Sequence, residues 1–295
     1  MDGLSFFHTV MLRIALPNKG RLAEETTELF NDAGLDVRMQ SSRALTASLG
    51  GEFEAIFVRA QDIPEFVADG AADAGITGWD LVVESGRKLD SLLDLEFGRC
   101  RIVVAARDES GAKSIATVPD GAKVATVFPS LAADFFRREG KRVQIVPISG
   151  AAEIAPHLGI ADLIVDITST GSTLKVNGLV EIGTILESTA RLITSPEQKP
   201  ADRNALDDLV AALSSVLCAR DKRYLMANVP RGALEEIKRI LPGLNGPTVV
   251  DILNGGEEVA VHAVVPAATI YRTIAAVKQL GGQGILVTRI ERLMQ

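Results

Sequence analysis

Short apolar runs alternate with segments of helical period along most of this chain. Leu12–Leu16, Ala55–Val58 and Ala72–Thr77 are strand-like runs, and each leads through a turn into a helix-like segment. A second series of this kind begins at Arg101–Ala106 and reaches the apolar run that starts at Ala161. Because strands that alternate with helices form sheets covered by helices, the pattern predicts an α/β fold.

The last part of the chain follows a different order. A strand, a helix, two strands joined by a hairpin signal at Asn254-Gly255-Gly256, a second helix and a final strand are predicted in turn. This β-α-β-β-α-β order is the split βαβ, ferredoxin-like unit. The predicted segments are Tyr224–Val229, Pro230–Leu241, Thr248–Leu253, Val259–Val265, Pro266–Leu280 and Ile285–Ile290.

Composition excludes several classes of function. The 295 residues suffice for about two domains of ordinary size, and the net charge of −7 argues against nucleic acid as a partner. Cys100 and Cys218 have no CxxC neighbour and the three histidines lack metal-ligand spacing, so no metal site built from protein ligands is predicted. No apolar run is long enough to span a membrane, and Met1–Val10 lacks the features of a signal peptide. We therefore expect a cytoplasmic protein whose residues 1–10 are a disordered extension.

The stretch Ala161–Leu174 carries the strongest functional signal. Its first half is apolar like a buried parallel strand, and its second half gathers hydroxyls around a glycine at a predicted helix start. Small residues at such a position let backbone N–H groups surround a phosphate, and the hydroxyls add donors. Asp166 stands at the strand end, where a sugar hydroxyl or a metal-bound diphosphate would lie. The stretch therefore predicts a phosphorylated sugar as ligand.

Other polar residues lie at predicted strand ends. Lys19-Gly20-Arg21 places two cations beside a glycine before a helix, which suits a di- or triphosphate but also fits a solvated turn. Arg59 follows a strand, where α/β sheets contact ligands, although a surface ion pair explains it equally well. Thr77 and Asp80 belong to a glycine-rich turn that suits a base or ribose, or simply closes a strand–helix connection. Glu153 opens a short helix, where its ordinary role is to interact with the helix dipole.

A set of motifs runs through the chain in a definite order: Leu16–Leu22, Asp62–Pro64, Gly75–Asp80, Glu153, Gly159, Asp166–Leu174 and Asn177–Leu179. Together they resemble the long form of ATP phosphoribosyltransferase, the first enzyme of histidine biosynthesis. The resemblance covers nearly the whole chain from Met11 onward. The residues themselves leave one alternative open, which is a two-lobed solute receptor or amino-acid sensor without catalysis.

The resemblance implies two catalytic domains like those of type II periplasmic binding proteins, with a cleft between them and two chain crossings. Domain I would comprise residues 11–103 and 190–220, and domain II residues 104–189 with the phosphoribosyl diphosphate loop. Residues 221–295 would form a regulatory domain that binds histidine, in agreement with the ferredoxin-like unit predicted above. Because members of the family are dimers that assemble into hexamers, a homo-oligomer is expected.

The reaction that the resemblance implies is attack of the adenine N1 of ATP on the anomeric carbon of phosphoribosyl diphosphate. Diphosphate would leave with inversion, and Mg²⁺ bound through the diphosphate would neutralise its charge. By matching motif, phosphoribosyl diphosphate would be bound by Asp166, Ser169, Thr170, Gly171, Ser172 and Thr173. The ATP side of the cleft would be formed by Lys19, Gly20, Arg21, Arg59, Thr77 and Asp80.

The resemblance also assigns catalytic and regulatory residues. Lys19, Arg21, Glu153 and Asp166 are the expected catalytic residues. Histidine is expected to act as an inhibitor that contacts Asn228 and Thr248. Asn228 stands where an acidic residue can occur in the family, so this chain departs from the pattern at that position.

Overall fold

The computed structural model describes residues 11–38, 44–253 and 256–294 of the chain. The predicted extension at residues 1–10 lies outside the described residues, as do Asn254 and Gly255 of the predicted hairpin signal. The chain forms two compact units, Met1–Asp207 and Asp208–Gln295. Of the helices in these described ranges, none has the length and apolar character needed to cross a membrane.

The first unit alternates strands and helices, as the sequence predicts. The helix that follows its last strand continues into the second unit. The elements are β1 (Leu12–Pro17), α1 (Arg21–Asp32), β2 (Val37–Arg38), β3 (Thr46–Leu49), β4 (Phe53–Val58), α2 (Ile63–Ala68), β5 (Ala74–Gly78), α3 (Trp79–Ser85), β6 (Asp90–Asp94), β7 (Cys100–Arg107), β8 (Lys123–Thr126), α4 (Pro129–Arg138), β9 (Gln144–Pro147), β10 (Leu163–Thr168), α5 (Ser172–Val176), β11 (Leu179–Ser188), β12 (Ala190–Thr194) and α6 (Arg203–Arg220).

These strands form two sheets, and each sheet is the centre of one lobe. The first sheet has the order β2-β3-β4-β1-β5-β12-β6, and the second has the order β11-β7-β10-β8-β9. In each lobe, the first strand after a chain crossing lies antiparallel to its neighbour in the sheet. These strands are β12, which pairs with β5, and β7, which pairs with β10. This exchange of strands is the topology of type II periplasmic-binding-protein lobes, so the predicted two-lobed fold with two chain crossings is confirmed.

The central strands are apolar because they are covered on both faces. β1 pairs in parallel with β4 and with β5, and Ile14 and Ala15 are fully buried within it. β10 lies between β7 and β8, and its residues Leu163, Ile164 and Val165 are buried in the same way. The sequence pattern therefore identifies the strands whose carboxyl ends carry the candidate site.

Some strands carry too little apolar signal to be predicted. β2, β3 and β6 extend the first sheet, and β6 has a polar residue at each end and no buried position. The boundary predicted at residue 104 lies inside β7, and the whole of that strand belongs to the second sheet. The second lobe therefore begins at Cys100.

The second unit has the predicted β-α-β-β-α-β order, with all strand pairs antiparallel in the order β14-β15-β13-β16. Alternate residues of β13, namely Leu225, Ala227 and Val229, form one apolar core with residues of both helices. The intervening residues therefore lie on the opposite face of the sheet, away from the core formed with α7 and α8. The elements are β13 (Lys222–Pro230), α7 (Leu234–Ile240), β14 (Thr248–Asp251), β15 (Glu258–Pro266), α8 (Ile270–Gln279) and β16 (Gln283–Arg289).

Candidate active site

The predicted cations of the first lobe lie together at one edge of its sheet. β1 and β4 are parallel neighbours that end in register at Pro17 and Val58. The Asn18 amide N–H donates to the Val58 carbonyl at 2.9 Å and ties the two following loops together. Lys19-Gly20-Arg21 and Arg59 therefore follow adjacent strand ends, the edge at which open α/β sheets bind ligands.

Each arginine at this edge has one acidic neighbour. Arg21 Nε and Nη2 both lie 3.2 Å from Glu25 Oε1 on the next turn of α1. Arg59 Nε lies 3.3 Å from Asp62 Oδ2. The side chains of Arg21 and Arg59 are 74% and 64% exposed, so donor edges remain free for an anion. Arg59 thus forms the surface ion pair considered above and remains accessible as well.

Thr77 holds a loop in place. It is fully buried, and its hydroxyl donates to the Ala60 carbonyl at 2.7 Å. This bond connects the end of β5 with the turn that follows Arg59. The contact between Thr77 and ATP stays a prediction, and in this arrangement Thr77 supports the position of Arg59.

Asp80 is buried at the first turn of α3, with 4% of its surface exposed. Its carboxylate accepts a hydrogen bond from Ser188 Oγ at 2.7 Å, and Ser188 Oγ in turn accepts the Asp80 amide N–H at 3.0 Å. A Cβ on Gly78 would clash with Asp80 Oδ1, an atom that the Ser188 hydroxyl holds in place, so this position favours glycine. Burial raises the pKa of Asp80, although the bond from Ser188 acts in the opposite direction. Asp80 therefore joins α3 to the end of β11, where the chain crosses between the lobes.

Cys100 lies opposite Ser188 on the paired strand β7. Burial raises the pKa of the Cys100 thiol to about 11, and the negative charge of Asp80 acts in the same direction. The two cysteines of the chain, Cys100 and Cys218, form no disulfide. Cys100 is therefore a neutral thiol at pH 7 within the site.

The loop Ser169–Thr173 connects β10 to α5, as the sequence predicts, and is called the phosphate loop after its predicted ligand. Gly171 adopts a left-handed conformation with φ 75°, and its N–H donates to Thr168 Oγ1 at 2.9 Å. Thr170 Oγ1 and Ser172 Oγ lie 3.0 Å apart. The side chains of Ser169, Thr170, Ser172 and Thr173 are exposed, so their hydroxyls are available to a ligand phosphate.

Asp166 and Glu153 bring two carboxylates close to the phosphate loop. Burial raises the pKa of Asp166, and the negative charge of Glu153 raises it further, whereas the Ile167 N–H that donates at 2.8 Å lowers it. Glu153 lies in a single turn of 3₁₀ helix that contacts β10. The preceding residue, Ala151, has φ 50°, a strained left-handed conformation for alanine.

A cavity of about 390 Å³ lies where the chain crosses between the two sheets. Arg101 in its wall bonds Glu181 Oε1 at 2.5 Å, and Ser169 connects the cavity with the phosphate loop. Most of the residues that line this cavity are not predicted from the sequence, because they come from segments that are distant in the chain. The lining residues are Asp94, Arg99, Cys100, Arg101, Ser169, Glu187, Ser188, Thr189 and Arg191.

Arg191 lies on the first-lobe side of this cavity. Its guanidinium carbon lies 4.3 Å from the centroid of the Trp79 ring, and its Nε lies 4.0 Å from Asp94 Oδ2. Within the described residues, Arg191 Nε is buried and has no hydrogen-bond partner. Trp79 also packs against the core of the first lobe. The Trp79 ring thus positions the cationic side chain of Arg191, a residue that the sequence pattern does not predict as part of the site.

The predicted histidine contacts lie on the sheet face of the second unit that is opposite the core formed with α7 and α8. Thr248 on β14 and Met226 on β13 both pair with His262 on the central strand β15, so these three residues form one row across the sheet. Asn228 follows Met226 by two residues on β13 and therefore belongs to the next row on the same face. His262 Nδ1 and the Tyr224 hydroxyl are 2.8 Å apart on the same face. The structure therefore brings Asn228 and Thr248 to neighbouring rows of one surface.

Comparison with known proteins identifies the family. The family described as HisG, ATP phosphoribosyltransferase, matches residues 59–215, and the family described as HisG, C-terminal domain, matches residues 219–292. The chain is 66% identical over 291 residues to an ATP phosphoribosyltransferase of Gemmatimonas aurantiaca, covering 96% of this chain and 100% of that relative. It is 44% identical over 290 residues to an ATP phosphoribosyltransferase of Methanosarcina barkeri, again covering 96% of this chain and 100% of the relative.

A solved structure gives the same result. The ATP phosphoribosyl transferase (HisG:HisZ) complex from Thermotoga maritima matches with a TM-score of 0.61 and 29% identity, covering 69% of this chain and 97% of that chain. The C-terminal match is the feature that separates the long form from the short form. The chain therefore belongs to the long form of the ATP phosphoribosyltransferase family, a family of pentosyl-transferring enzymes.

Proposed function

We propose that this chain catalyses the condensation of ATP with phosphoribosyl diphosphate, the first step of histidine biosynthesis. The bond that forms joins adenine N1 to the anomeric carbon of the ribose, and the bond that breaks joins that carbon to the diphosphate oxygen. Diphosphate leaves with the electron pair, and the configuration at the anomeric carbon inverts. Adenine N1 is unprotonated at pH 7, so the nucleophile needs no strong general base.

The phosphate loop supports the proposal most directly. Its exposed hydroxyls and the Gly171 turn offer donors to the 5-phosphate of the sugar. Asp166, near the carboxyl end of β10, would accept hydrogen bonds from the ribose hydroxyls, and Glu153 lies close to it. A phosphoribosyl group bound in this way would present its anomeric carbon toward the space between the lobes.

The cations would act on the phosphates of both substrates. Lys19 and Arg21 would face the diphosphate or triphosphate, and Arg59 would contribute to the ATP side. Arg101 and Arg191 extend this positive charge into the cavity at the chain crossings. Such fixed charges stabilise a leaving diphosphate without reorganisation during the reaction, so catalysis would depend on positioning and electrostatics.

Mg²⁺ is the cofactor that fits this donor set. Within residues 11–38, 44–253 and 256–294 there is no cluster of three or more His, Cys, Asp or Glu residues that could enclose a metal. The adjacent carboxylates of Asp166 and Glu153 suit a cation that keeps most of its ligands from water and substrate phosphates. When bound, Mg²⁺ would supply charge neutralisation for the diphosphate.

We propose histidine as the feedback inhibitor, and we propose that it binds the sheet face of the second unit that is opposite the core formed with α7 and α8. Asn228 and Thr248 offer an amide and a hydroxyl on neighbouring rows. Asn228 would accept a hydrogen bond from the histidine ammonium group, although an acidic residue would bind that group more strongly. We further propose a homo-oligomer, from dimer to hexamer, in the cytoplasm, where ATP is available.

A diphosphate-release assay with ATP, phosphoribosyl diphosphate and Mg²⁺ tests the reaction. Release that requires both substrates supports the proposal, and calorimetric binding of either substrate without release would favour a sensor instead. Removing Mg²⁺ with a chelator should abolish release. Release that persists in the chelator would contradict the role proposed for the metal.

A further inference from the structure

Helix α3 belongs to the first lobe by sequence but contacts both lobes. Val82 is buried in a core cluster of the first lobe, together with residues such as Ile63 and Ile193. The adjacent residue Leu81 packs against the core of the second lobe. Successive residues of one short helix therefore contribute to the cores of two different lobes.

The carboxylate of Glu84 on α3 caps a helix of the second lobe. Its Oε1 accepts the Ser130 N–H at 3.0 Å, and its Oε2 accepts the Leu131 N–H at 2.9 Å. Both donors lie in the first turn of α4, where backbone N–H groups have no partner within the helix. The N-cap residue Phe128 offers no side-chain hydrogen bond of its own. The first lobe thus supplies the cap that the sequence of α4 lacks.

This contact differs in kind from a surface ion pair. Two hydrogen bonds to an ionised carboxylate are charge-assisted, and the negative charge also interacts favourably with the amino-terminal end of the helix dipole. Glu84 itself is half-buried, so solvent screens the contact only in part. The interaction joins residues separated by 46 and 47 positions in the chain, and it exists only while the two lobes are docked.

We propose that Glu84 is a positioning residue that holds the two lobes in their docked arrangement by capping α4 from α3. The amino-terminal end of α3 is already tied to the chain crossing through Asp80 and Ser188. Glu84 fixes the other end, so α3 becomes a rigid connection between the lobes. The cations of the first lobe and the phosphate loop of the second are then held at a fixed separation. This inference goes beyond the proposed reaction, because the docking can be measured without turnover.

The test compares Glu84→Ala with a matched control, Glu65→Ala. Glu65 forms an ion pair with Arg87 inside the first lobe, so its removal changes the same charge without crossing the lobes. Amide hydrogen exchange should become about tenfold faster in Glu84→Ala at α4 and also at Trp79. The Trp79 N–H donates to the Thr189 carbonyl at 3.0 Å, at the chain crossing. The control should leave both regions unchanged.

Kinetics give the second measurement. In Glu84→Ala the KM values of both substrates should rise about tenfold while kcat stays within about twofold, because substrate binding must then also dock the lobes. Glu84→Gln keeps the volume and one acceptor, so it should show the same changes at about threefold, and it replaces the alanine variant if that variant does not fold.

Two results would overturn the inference. Exchange and KM values equal to those of Glu65→Ala would remove any role in docking. Faster exchange confined to the first turn of α4, with unchanged KM values, would leave Glu84 as a helix cap alone. If the unmodified protein releases no diphosphate, the proposed reaction fails, and the exchange experiment still decides the role of Glu84.

Discussion

Replacing Ser172 and Thr173 together with alanine should weaken the binding of phosphoribosyl diphosphate without unfolding the protein. Both side chains are exposed on the phosphate loop, and Ser172 Oγ lies 3.0 Å from the neighbouring Thr170 hydroxyl. Exposed substitutions that break no buried contact usually change the free energy of unfolding by about 0.5 kcal/mol or less. The loop should therefore keep its conformation, which depends on the Gly171 turn.

The expected loss of binding is much larger than this change in stability. A hydrogen bond to a charged group contributes about 1.5–3 kcal/mol. Two such bonds to the 5-phosphate, added without coupling, give about 3–6 kcal/mol, although neighbouring groups are seldom fully additive. Taking the lower value, the KM for phosphoribosyl diphosphate should rise about 100-fold. The KM for ATP should change little.

The measurement is initial-rate kinetics of diphosphate release, with each substrate varied in turn. Thr273→Ala is the control, because its hydroxyl donates to the carbonyl of Thr269, the N-cap residue of α8 in the second unit. Thermal unfolding of each variant checks that the fold is intact. An unchanged KM for phosphoribosyl diphosphate in the double variant, with normal unfolding, would refute the assignment of the phosphate loop.

Three further predictions concern buried groups and regulation. Burial raises the pKa of Asp80, so the stability that this carboxyl contributes is present below its unfolded pKa of about 3.9 and is lost as the pH rises through the folded value. Asparagine at position 80 still accepts the hydrogen bond from Ser188 but carries no charge. The free energy of unfolding of Asp80→Asn, relative to that of the unmodified protein, should therefore increase as the pH is raised from about 4. A difference that does not depend on pH would contradict the raised pKa of Asp80. Because the pKa of the half-buried Cys100 is raised to about 11, alkylation of this thiol at pH 7 should be about 100-fold slower than that of an ordinary cysteine, as measured by peptide mass spectrometry, and equal rates would contradict the raised pKa. Deleting residues 221–295 should abolish inhibition by histidine while some diphosphate release remains, and inhibition that survives the deletion would locate the effector site elsewhere.

The fold was predictable where burial forces a simple pattern. β1 and β10 are paired on both sides and covered on both faces, so their apolar runs stand out in the sequence. β6 has polar ends and no buried residue, and its place in the sheet depends on pairing with β12, which lies far along the chain. Such long-range pairing leaves no local signal in the sequence.

The candidate site likewise contains residues that can be predicted from the sequence and residues that cannot. The phosphate loop is one continuous segment, so its glycine and hydroxyls could be recognised together. The cavity at the chain crossings draws Arg101 and Arg191 from different sheets, and no spacing in the sequence relates them. Thr77 and Asp80 were recognised by residue type, but their burial and their bonds to Ala60 and Ser188 come from tertiary packing.

The assay that tests the central claim most directly measures diphosphate released from ATP and phosphoribosyl diphosphate, with and without histidine. We expect release only when both substrates and Mg²⁺ are present, and we expect histidine to lower its rate. Binding of the substrates without release of diphosphate would contradict the account and would identify a sensor built on a two-lobed fold.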